Sequence, residues 1–257
     1  MIDAAEVQRR LDAHPCWYDT IDVAPGVATR GRFDLRPVLD AMPWPNVWGK
    51  RCVDVGTMDG ILAFELERRG AAEVLALAVE DDLRLADTGA GAATGVGFRL
   101  AAELIDSAVE WRSSAVTGLD RGGFGTFDIV VCGSLLSHLR DPIGAVRAMR
   151  SATGGLFLSA EPIELGLSIL GVGRPLFRLD DLQGRLRPNA AGHRRMVQAA
   201  GFEIERVSRP YVVRDREGQG LPATLRDRAR SLVTRAVTRD TAPGVVHRAL
   251  LARPVTT

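Results

Sequence analysis

The sequence predicts an α/β protein built on an open, doubly wound sheet. The first observation is the stretch 51–70, RCVDVGTMDGILAFELERRG, in which an apolar run, a glycine turn and a helix-patterned segment follow one another directly. The second is that at least five short apolar runs alternate with helical segments along the 257 residues. Such alternation is typical of a mostly parallel sheet covered by helices.

The stretch 51–70 predicts the first strand and helix of that sheet. Val53 and Val55 are β-branched and favour a buried strand. From Ile61 to Leu66 the apolar residues recur every three or four positions, which indicates a helix. These two elements are joined by only five residues, so the turn between them is tight.

Three residues of the turn Gly56-Thr-Met-Asp-Gly60 have expected tasks. We expect Gly56 to bring the backbone close to a ligand, Asp59 to begin the helix, and Gly60 to let that helix pack tightly. A glycine turn alone also fits any strand-to-helix connection, so the function of this one depends on the rest of the chain.

The remaining elements follow in chain order. Further strands are predicted at 73–79, 109–116, 127–132, 155–160, 203–207 and 245–252. Further helices are predicted at 4–13, 98–105, 142–151, 190–200 and 225–237. Irregular segments are predicted at 80–96, 164–188 and 215–243.

Composition bounds the organisation of the chain. With 46% apolar residues, the chain is long enough for one large domain. We expect an N-terminal arm at 1–47, a core at 48–210, and a helical insertion with the last strand at 211–257.

Charge and cysteine content exclude several classes of protein. A net charge of +1 provides no broad basic surface for nucleic acid, and the Arg-rich helix 225–237 includes Asp227, which favours a solvated face over phosphate contact. Cys16, Cys52 and Cys132 lack metal-ligand spacing and predict free thiols in a cytoplasmic protein without a bound metal. No leader-like or membrane-spanning apolar run is visible.

Four motifs in order carry a family resemblance. VDVGTMDG is followed by EVLALAVE, then TFDIVVCGSLLSHLRDP, then GGLFLSAEPI. This series resembles the class I S-adenosylmethionine-dependent methyltransferases, whose fold is a Rossmann-like doubly wound sheet. WYDTID near the start and SLLSHLRDP resemble the branch of tRNA wobble-uridine (carboxy)methyltransferases.

The resemblance implies a set of cofactor-binding residues at the carboxyl ends of the strands. Asp54, Gly56 and Gly60 would hold the amino-acid end of S-adenosylmethionine. The complete implied set is Asp54, Gly56, Thr57, Gly60, Val79, Glu80 and Gly133.

The chain departs from the family pattern at the positions that usually hold ribose and adenine. Ala78 stands where a ribose-binding acid is usual, and Gly118 where an adenine-binding acid is usual, so the cofactor site is expected to be degenerate. Each lost hydrogen bond to a charged group costs about 1.5 to 3 kcal/mol. The alternative is a shift of register by one or two residues that makes Glu80 or Asp81 the ribose ligand.

His138 and Glu161 are the candidates for chemistry, because they follow the fourth and fifth strands. An ordinary histidine titrates near neutrality and suits a general base, although His138 also fits a helix start. Glu161 would position a substrate amine or hydroxyl, or be a plain strand-end acid. His14 and His247 are assigned no role.

Five residues are candidates for substrate contact: Trp17, Tyr18, Asp19, Asn189 and His193. Packing is the alternative for the two aromatic residues, and helix capping is the alternative for Asn189.

Three functions stay open. The first is methyl transfer to a small molecule in specialised metabolism. The second is a repurposed catalyst without cofactor use, for example for an intramolecular substitution or cyclisation, or a partner of another enzyme; the third is tRNA modification.

Overall fold

The computed structural model describes residues 3–14, 16–80, 95–119, 123–179, 186–217, 225–240 and 244–255, with side chains of 225–230 left aside. The predicted loop 80–96 lies almost wholly outside these residues. The helices are α1 (Ala4–Asp12), α2 (Ile61–Arg68), α3 (Val96–Leu104), α4 (Pro142–Ala152), α5 (Leu165–Leu170), α6 (Ala190–Ala199) and α7 (Leu225–Thr238).

Thirteen strands are described. In the arm they are β1 (Asp22–Ala24), β2 (Val27–Ala28) and β3 (Phe33–Asp34). In the middle of the chain they are β4 (Arg51–Val55), β5 (Glu73–Val79), β6 (Glu110–Ser114), β7 (Phe127–Gly133) and β8 (Thr153–Pro162). Towards the end they are β9 (Phe177–Leu179), β10 (Leu186–Pro188), β11 (Phe202–Val207), β12 (Tyr211–Asp215) and β13 (Gly244–Pro254).

One large sheet carries the fold. Its order is β3-β12-β13-β8-β7-β4-β5-β6, and β11 also pairs with β13. The five strands from β6 to β8 are parallel, and β13 runs antiparallel beside β8. The predicted doubly wound α/β fold is therefore confirmed.

Two apolar layers cover the faces of the sheet. On one face, α1, α2 and α3 pack through residues such as Leu11, Leu66 and Phe98. On the other face, α4 and α6 pack through Met149 and Val197. Each buried strand is apolar on both sides because both of its faces are covered.

Six of these strands, β1, β2, β3, β9, β10 and β12, were not predicted, and two of them, β3 and β12, bring the arm into the sheet. β3 of the arm pairs with β12, with Asp34 opposite Arg214 and Phe33 opposite Asp215. β3 has two residues and no alternating pattern, so no periodicity could indicate it. Its partner β12 is held by β13, 30 residues further along the chain.

Candidate functional site

The glycine turn is locked to the neighbouring strand. The backbone N–H groups of Gly56 and Thr57 both donate to the Leu77 carbonyl, at 2.9 and 3.1 Å. Gly56 has a φ of +89°, and an added Cβ would lie 2.9 Å from the Leu135 side chain. Only glycine therefore fits this first position of the turn.

Gly60 is needed for tight helix packing, as expected, but the element that approaches it is helix α3 and not the strand. Its φ is +106°, and an added Cβ would come within 2.7 Å of the rings of Phe64 and Phe98. Gly60 thus allows α3 to pack against α2. It lines neither of the two cavities described below. Because Gly60 has no side chain, the rings of Phe64 and Phe98 can stack there with 5.0 Å between their centroids.

The sequence suggested that Asp59 begins α2, but its side chain does not cap that helix. The position before the helix is occupied by Gly60, and no side chain caps it. The Asp59 carboxylate accepts instead from the backbone N–H groups of Tyr18 and Asp19, at 2.6 and 3.0 Å. Asp19 returns the contact, since its carboxylate accepts from the Asp59 N–H at 3.3 Å. The arm is therefore fastened directly to the glycine turn.

Two adjoining cavities open at the carboxyl ends of the parallel strands. The first, here called the turn compartment, has a volume of about 470 Å³ and is bounded by Asp19, Asp54 and the residues from Gly56 to Met58. The second, the histidine compartment, has a volume of about 630 Å³ and is bounded by Arg32, His138 and Arg187. They share five residues, which are Tyr18, Leu35, Ser134, Val213 and His247.

The turn compartment is acidic and has buried hydroxyl groups in its wall. Burial raises the pKa of Asp54 to about 7. Burial, together with the charges of Asp59 and Asp54, raises the pKa of Asp19 well above its usual range. The hydroxyl of Tyr211 is buried in this wall without a hydrogen-bond partner among the described residues, and the hydroxyl of Thr57 lies beside Asp54. A ligand with cationic and hydrogen-bonding groups fits such a wall, as the amino-acid end of S-adenosylmethionine would.

Ser134 and His247 meet where the two compartments join. The Ser134 Oγ lies 2.9 Å from Nε2 of His247, and Nδ1 of His247 lies 2.9 Å from the Val245 carbonyl oxygen. Burial lowers the pKa of His247 to about 4. Ser134 follows β7 with a φ of +55°, an uncommon conformation for a residue other than glycine, at a cost of about 1 to 2 kcal/mol.

Glu161 does not face the rim, contrary to the sequence-based expectation. It is 1% exposed, and its two carboxylate oxygens accept from the backbone N–H groups of Leu135 and Leu136, each at 3.2 Å. Burial raises its pKa to about 8. Glu161 therefore supports the loop that presents Ser134 and lines neither compartment.

Asn189 and His193 are also buried away from both compartments. Asn189 caps α6 by accepting from the Gly192 N–H at 2.7 Å, and its amide donates to the carbonyls of Leu167 and Arg174. His193 is fully buried, with Nε2 2.8 Å from Ser159 Oγ. Asn189 thus caps α6, as its alternative proposed, and neither side chain lines the two compartments.

The aromatic and acidic residues of the arm divide between packing and site. Trp17 is in the apolar core, and its indole N–H donates to the Leu11 carbonyl at 3.3 Å. Tyr18 lines both compartments, and Asp19 lines the turn compartment. Of the remaining predicted residues, the structure brings together Asp54, Gly56, Thr57 and Gly133 around the turn compartment and His138 around the histidine compartment.

The end of β5 explains how the chain departs from the family pattern. Ala78 is buried within the strand opposite Ser113, and Glu80 is exposed one residue beyond Val79. An added Cβ at Gly118 would lie 2.4 Å from Ser114 Oγ, so a side chain there requires Ser114 to move. The absence of an adenine-binding acid at position 118 therefore coincides with a lack of space for a side chain beside Ser114.

The residues that sequence reasoning missed are Ser134, Tyr211 and His247. His247 is 113 residues from Ser134 and had no neighbours in a recognisable motif. Tyr211 lies in the unpredicted strand β12. A stronger signal for His247 was its position in the apolar run of the last strand, where a polar residue requires a partner.

Metal binding and membrane spanning have no support in the described part of the chain. No group of three or more His, Cys, Asp or Glu side chains there is placed to hold a metal ion. Within the same residues, none of the helices combines the length and apolar character that crossing a bilayer requires. Cys52 and Cys132 are buried free thiols, as predicted, and Cys16 is an exposed one.

Comparisons with known proteins agree with the fold. No protein-family model matches the chain. The chain is 30% identical over 169 residues to a ubiquinone biosynthesis O-methyltransferase of Acinetobacter baylyi, covering 61% of this chain and 65% of that protein. It is 36% identical over 147 residues to a ubiquinone biosynthesis O-methyltransferase of Neisseria meningitidis serogroup C, covering 56% of this chain and 48% of that one. The chain thus spans less than two thirds of these relatives' lengths.

Solved structures share the architecture at low identity. An S-adenosylmethionine-dependent methyltransferase from Mesorhizobium loti matches with a TM-score of 0.50 and 18% identity, covering 85% of this chain and 97% of that one. A chain of the complex between the Haloferax volcanii Trm112 methyltransferase activator and a putative methyltransferase matches with a TM-score of 0.55 and 14% identity, covering 86% and 88%.

The fold is therefore the Rossmann-like fold that is seen in solved methyltransferase structures such as these two. The two curated proteins that it matches by sequence are O-methyltransferases.

Proposed function

We propose that this protein transfers a methyl group from S-adenosylmethionine to a hydroxyl of a small molecule. The observation that carries the proposal is the pair of adjoining compartments at the carboxyl ends of the strands. The turn compartment would hold the donor, and the histidine compartment the acceptor. A reaction between two bound molecules gains most of its rate when both are held side by side in this way.

The residues of the turn compartment fit the proposed cofactor. Asp54, Asp19 and the hydroxyls of Thr57 and Tyr211 offer acceptors and donors for its amino-acid end. When bound, the cofactor supplies an electrophilic methyl group on a sulfonium. The contribution of this chain is to bind it, to orient the acceptor hydroxyl, and to remove the proton of that hydroxyl.

We propose Glu80 as the ribose-binding acid in place of Ala78. The Glu80 N–H donates to the Ser114 carbonyl at 3.1 Å, so the ladder between β5 and β6 continues through this residue. Side chains two positions apart share one face of a strand. Ala76 pairs with Asp54, so Glu80 lies on the same face of the sheet as Asp54 and Ala78.

The acceptor in this proposal is a small molecule, in specialised metabolism, that enters the histidine compartment. Its wall combines apolar residues such as Phe33 and Val213 with a few polar groups, as is usual for a small-molecule site. His138 would contact the acceptor from one wall, and Arg32 and Arg187 from others. The relatives' printed role as O-methyltransferases supports a hydroxyl as the acceptor group.

A repurposed catalyst that no longer uses the cofactor is the second candidate. The buried methyl group of Ala78, which cannot accept a hydrogen bond, is the observation that favours it. Modification of tRNA is less favoured, because the chain has a net charge of only +1.

Two measurements test the proposal. Purified protein is denatured and analysed by mass spectrometry for S-adenosylhomocysteine carried through purification. Calorimetry then measures binding of S-adenosylmethionine and S-adenosylhomocysteine. We expect binding of both; no binding at millimolar concentration would overturn cofactor use and favour the second candidate.

A further inference from the structure

We infer that His247 is the base that takes the proton from the acceptor hydroxyl, and that Ser134 occupies its Nε2 until the acceptor arrives. This inference rests on the proposed methyl transfer. It extends that proposal to a residue that the sequence reasoning left without a role.

The hydrogen bonds of His247 determine which ring nitrogen carries the proton. Nδ1 lies 2.9 Å from the Val245 carbonyl oxygen, which is able only to accept, so Nδ1 must donate. In the neutral ring Nε2 is then the acceptor, and the hydroxyl of Ser134 donates to it across 2.9 Å. The lone pair of Nε2 is thereby aimed at the point where the two compartments meet.

The backbone around Ser134 indicates a site rather than ordinary packing. Ser134 has a φ of +55°, and strained positions of this kind cluster where a site requires them. Its N–H donates to the Ala160 carbonyl at 2.9 Å, and Glu161 holds the next two N–H groups. The loop is thus fixed in the conformation that places the hydroxyl against His247.

The charged and titratable groups around His247 keep it neutral. The ring of Tyr211 from β12 stacks on it with 6.0 Å between centroids, and His193 of α6 and Arg248 of β13 lie nearby. Arg187 of β10 disfavours a second positive charge, and burial acts in the same direction. Tyr18 and Arg32 from the arm and His138 from the loop after β7 complete the wall of the shared cavity.

Proton transfer to His247 and methyl transfer to the acceptor oxygen belong to one step. The hydroxyl of the acceptor gives its proton to Nε2 as its oxygen forms the new O–CH₃ bond. The bond between the methyl carbon and the sulfonium sulfur breaks, and its electron pair stays on sulfur as a neutral thioether. The imidazolium then releases its proton to water. A neutral, weakly basic imidazole suits an acidic hydroxyl, so we infer a phenol or an enol as the acceptor class.

The other histidines supply matched comparisons. His193 has the same type of contact, with Nε2 2.8 Å from a serine hydroxyl, but it lies outside both compartments. His138 lines the histidine compartment but not the turn compartment. Of these three histidines, only His247 lines both the proposed donor compartment and the proposed acceptor compartment. The variants H247Q, H193Q and H138Q therefore separate the proposed base from the other two histidines.

The first test needs no turnover. Protein with ¹⁵N-labelled histidine is studied by long-range ¹H–¹⁵N spectroscopy between pH 5.5 and 8, with H247Q to assign the resonance. We expect His247 neutral, protonated on Nδ1, throughout this range. We expect S134A to keep that tautomer, because the Val245 carbonyl determines it. A proton on Nε2, or a charged ring at pH 7, would overturn the inference whether or not the protein methylates anything.

The second test uses catechol as the acceptor and S-adenosylmethionine as the donor. We expect H247Q to lower kcat by 10²-fold or more with little change in KM, and H193Q to stay within about threefold of the parent. A kcat for H247Q above one tenth of the parent value would overturn the base assignment. If the parent itself binds both compounds and transfers nothing, the proposed function fails for phenols, while the spectrum still decides the state of His247.

Discussion

Asp19 and Asp59 hydrogen-bond to each other's backbone: the Asp19 N–H donates to the Asp59 carboxylate at 3.0 Å, and the Asp59 N–H donates to the Asp19 carboxylate at 3.3 Å. One residue belongs to the arm and the other to the glycine turn. Residues of both segments line the turn compartment, Tyr18 and Asp19 from the arm and Gly56 to Met58 from the turn. Arm and turn are thus expected to be stable or unstable together.

Replacing Asp59 by alanine tests that expectation. Asp59→Ala removes the acceptor of the Tyr18 and Asp19 N–H groups, and leaving a buried donor unpaired costs about 1 to 3 kcal/mol of unfolding free energy. Denaturant unfolding measures the loss. Asp40→Ala is the matched control, because Asp40 pairs with Arg69 on an exposed surface and should change little. Equal stability of the two variants would show that the arm is held elsewhere.

Gly60 is expected to be irreplaceable for a packing reason. Gly60→Ala places a Cβ within 2.7 Å of Phe64 and Phe98 at a φ of +106°, so we expect a loss of about 3 kcal/mol or more. Gly26→Ala has a comparable φ of +75° but meets no atom within 4 Å, and should lose only about 1 kcal/mol. Thermal unfolding of both variants decides; similar losses would mean that the backbone conformation, and not the ring packing, is limiting.

The end of β5 provides a test of cofactor affinity. Glu80→Ala should weaken binding of S-adenosylhomocysteine by about 10- to 100-fold, the loss expected when a charged acceptor disappears. Ala78→Asp should strengthen binding by introducing an acid on the same face of the strand. Glu110→Ala, an exposed position on β6, serves as the control in the same calorimetric titrations. Unchanged affinity in Glu80→Ala would exclude Glu80 as the ribose ligand.

Acidification should destabilise the protein through His193. Its pKa is lowered from 6.5 to about 3 by burial, so below pH 6.5 the unfolded chain binds a proton that the native protein does not. Stability from this group is present above pH 6.5 and falls by up to about 1.4 kcal/mol per pH unit as the pH decreases towards 3. His193→Gln should flatten the stability curve in that window; a curve parallel to that of the parent would contradict this.

Glu161 should make the protein less stable as the pH rises, which is opposite to the effect of His193. Its pKa is raised from 4.5 to about 8 by burial, so the native protein holds a proton that the unfolded chain has lost. The stability from this group is present below pH 4.5 and is lost as the pH rises towards 8. Glu161→Gln mimics the protonated side chain, so its unfolding free energy relative to the parent should improve from pH 4.5 to 8. Chemical denaturation over this range measures it, and a constant difference would refute it.

Local pattern was sufficient for most of the sheet. The apolar run 73–79 agrees with β5 at both ends, and 127–132 falls one residue short of β7. Buried parallel strands are continuous apolar runs, and such runs are visible without any knowledge of contacts. The glycine positions of the turn and the first strand-to-helix unit were predictable for the same reason.

The sequence by itself determined the doubly wound fold and the place of the glycine turn, because both depend on residues that are neighbours in the chain. Only the tertiary structure decided which polar residues share a cavity. Glu161 and Asn189 became buried supports because backbone groups from other segments took up their hydrogen-bonding capacity. His247 became a site residue because β13 places it against Ser134, a contact that no local periodicity encodes.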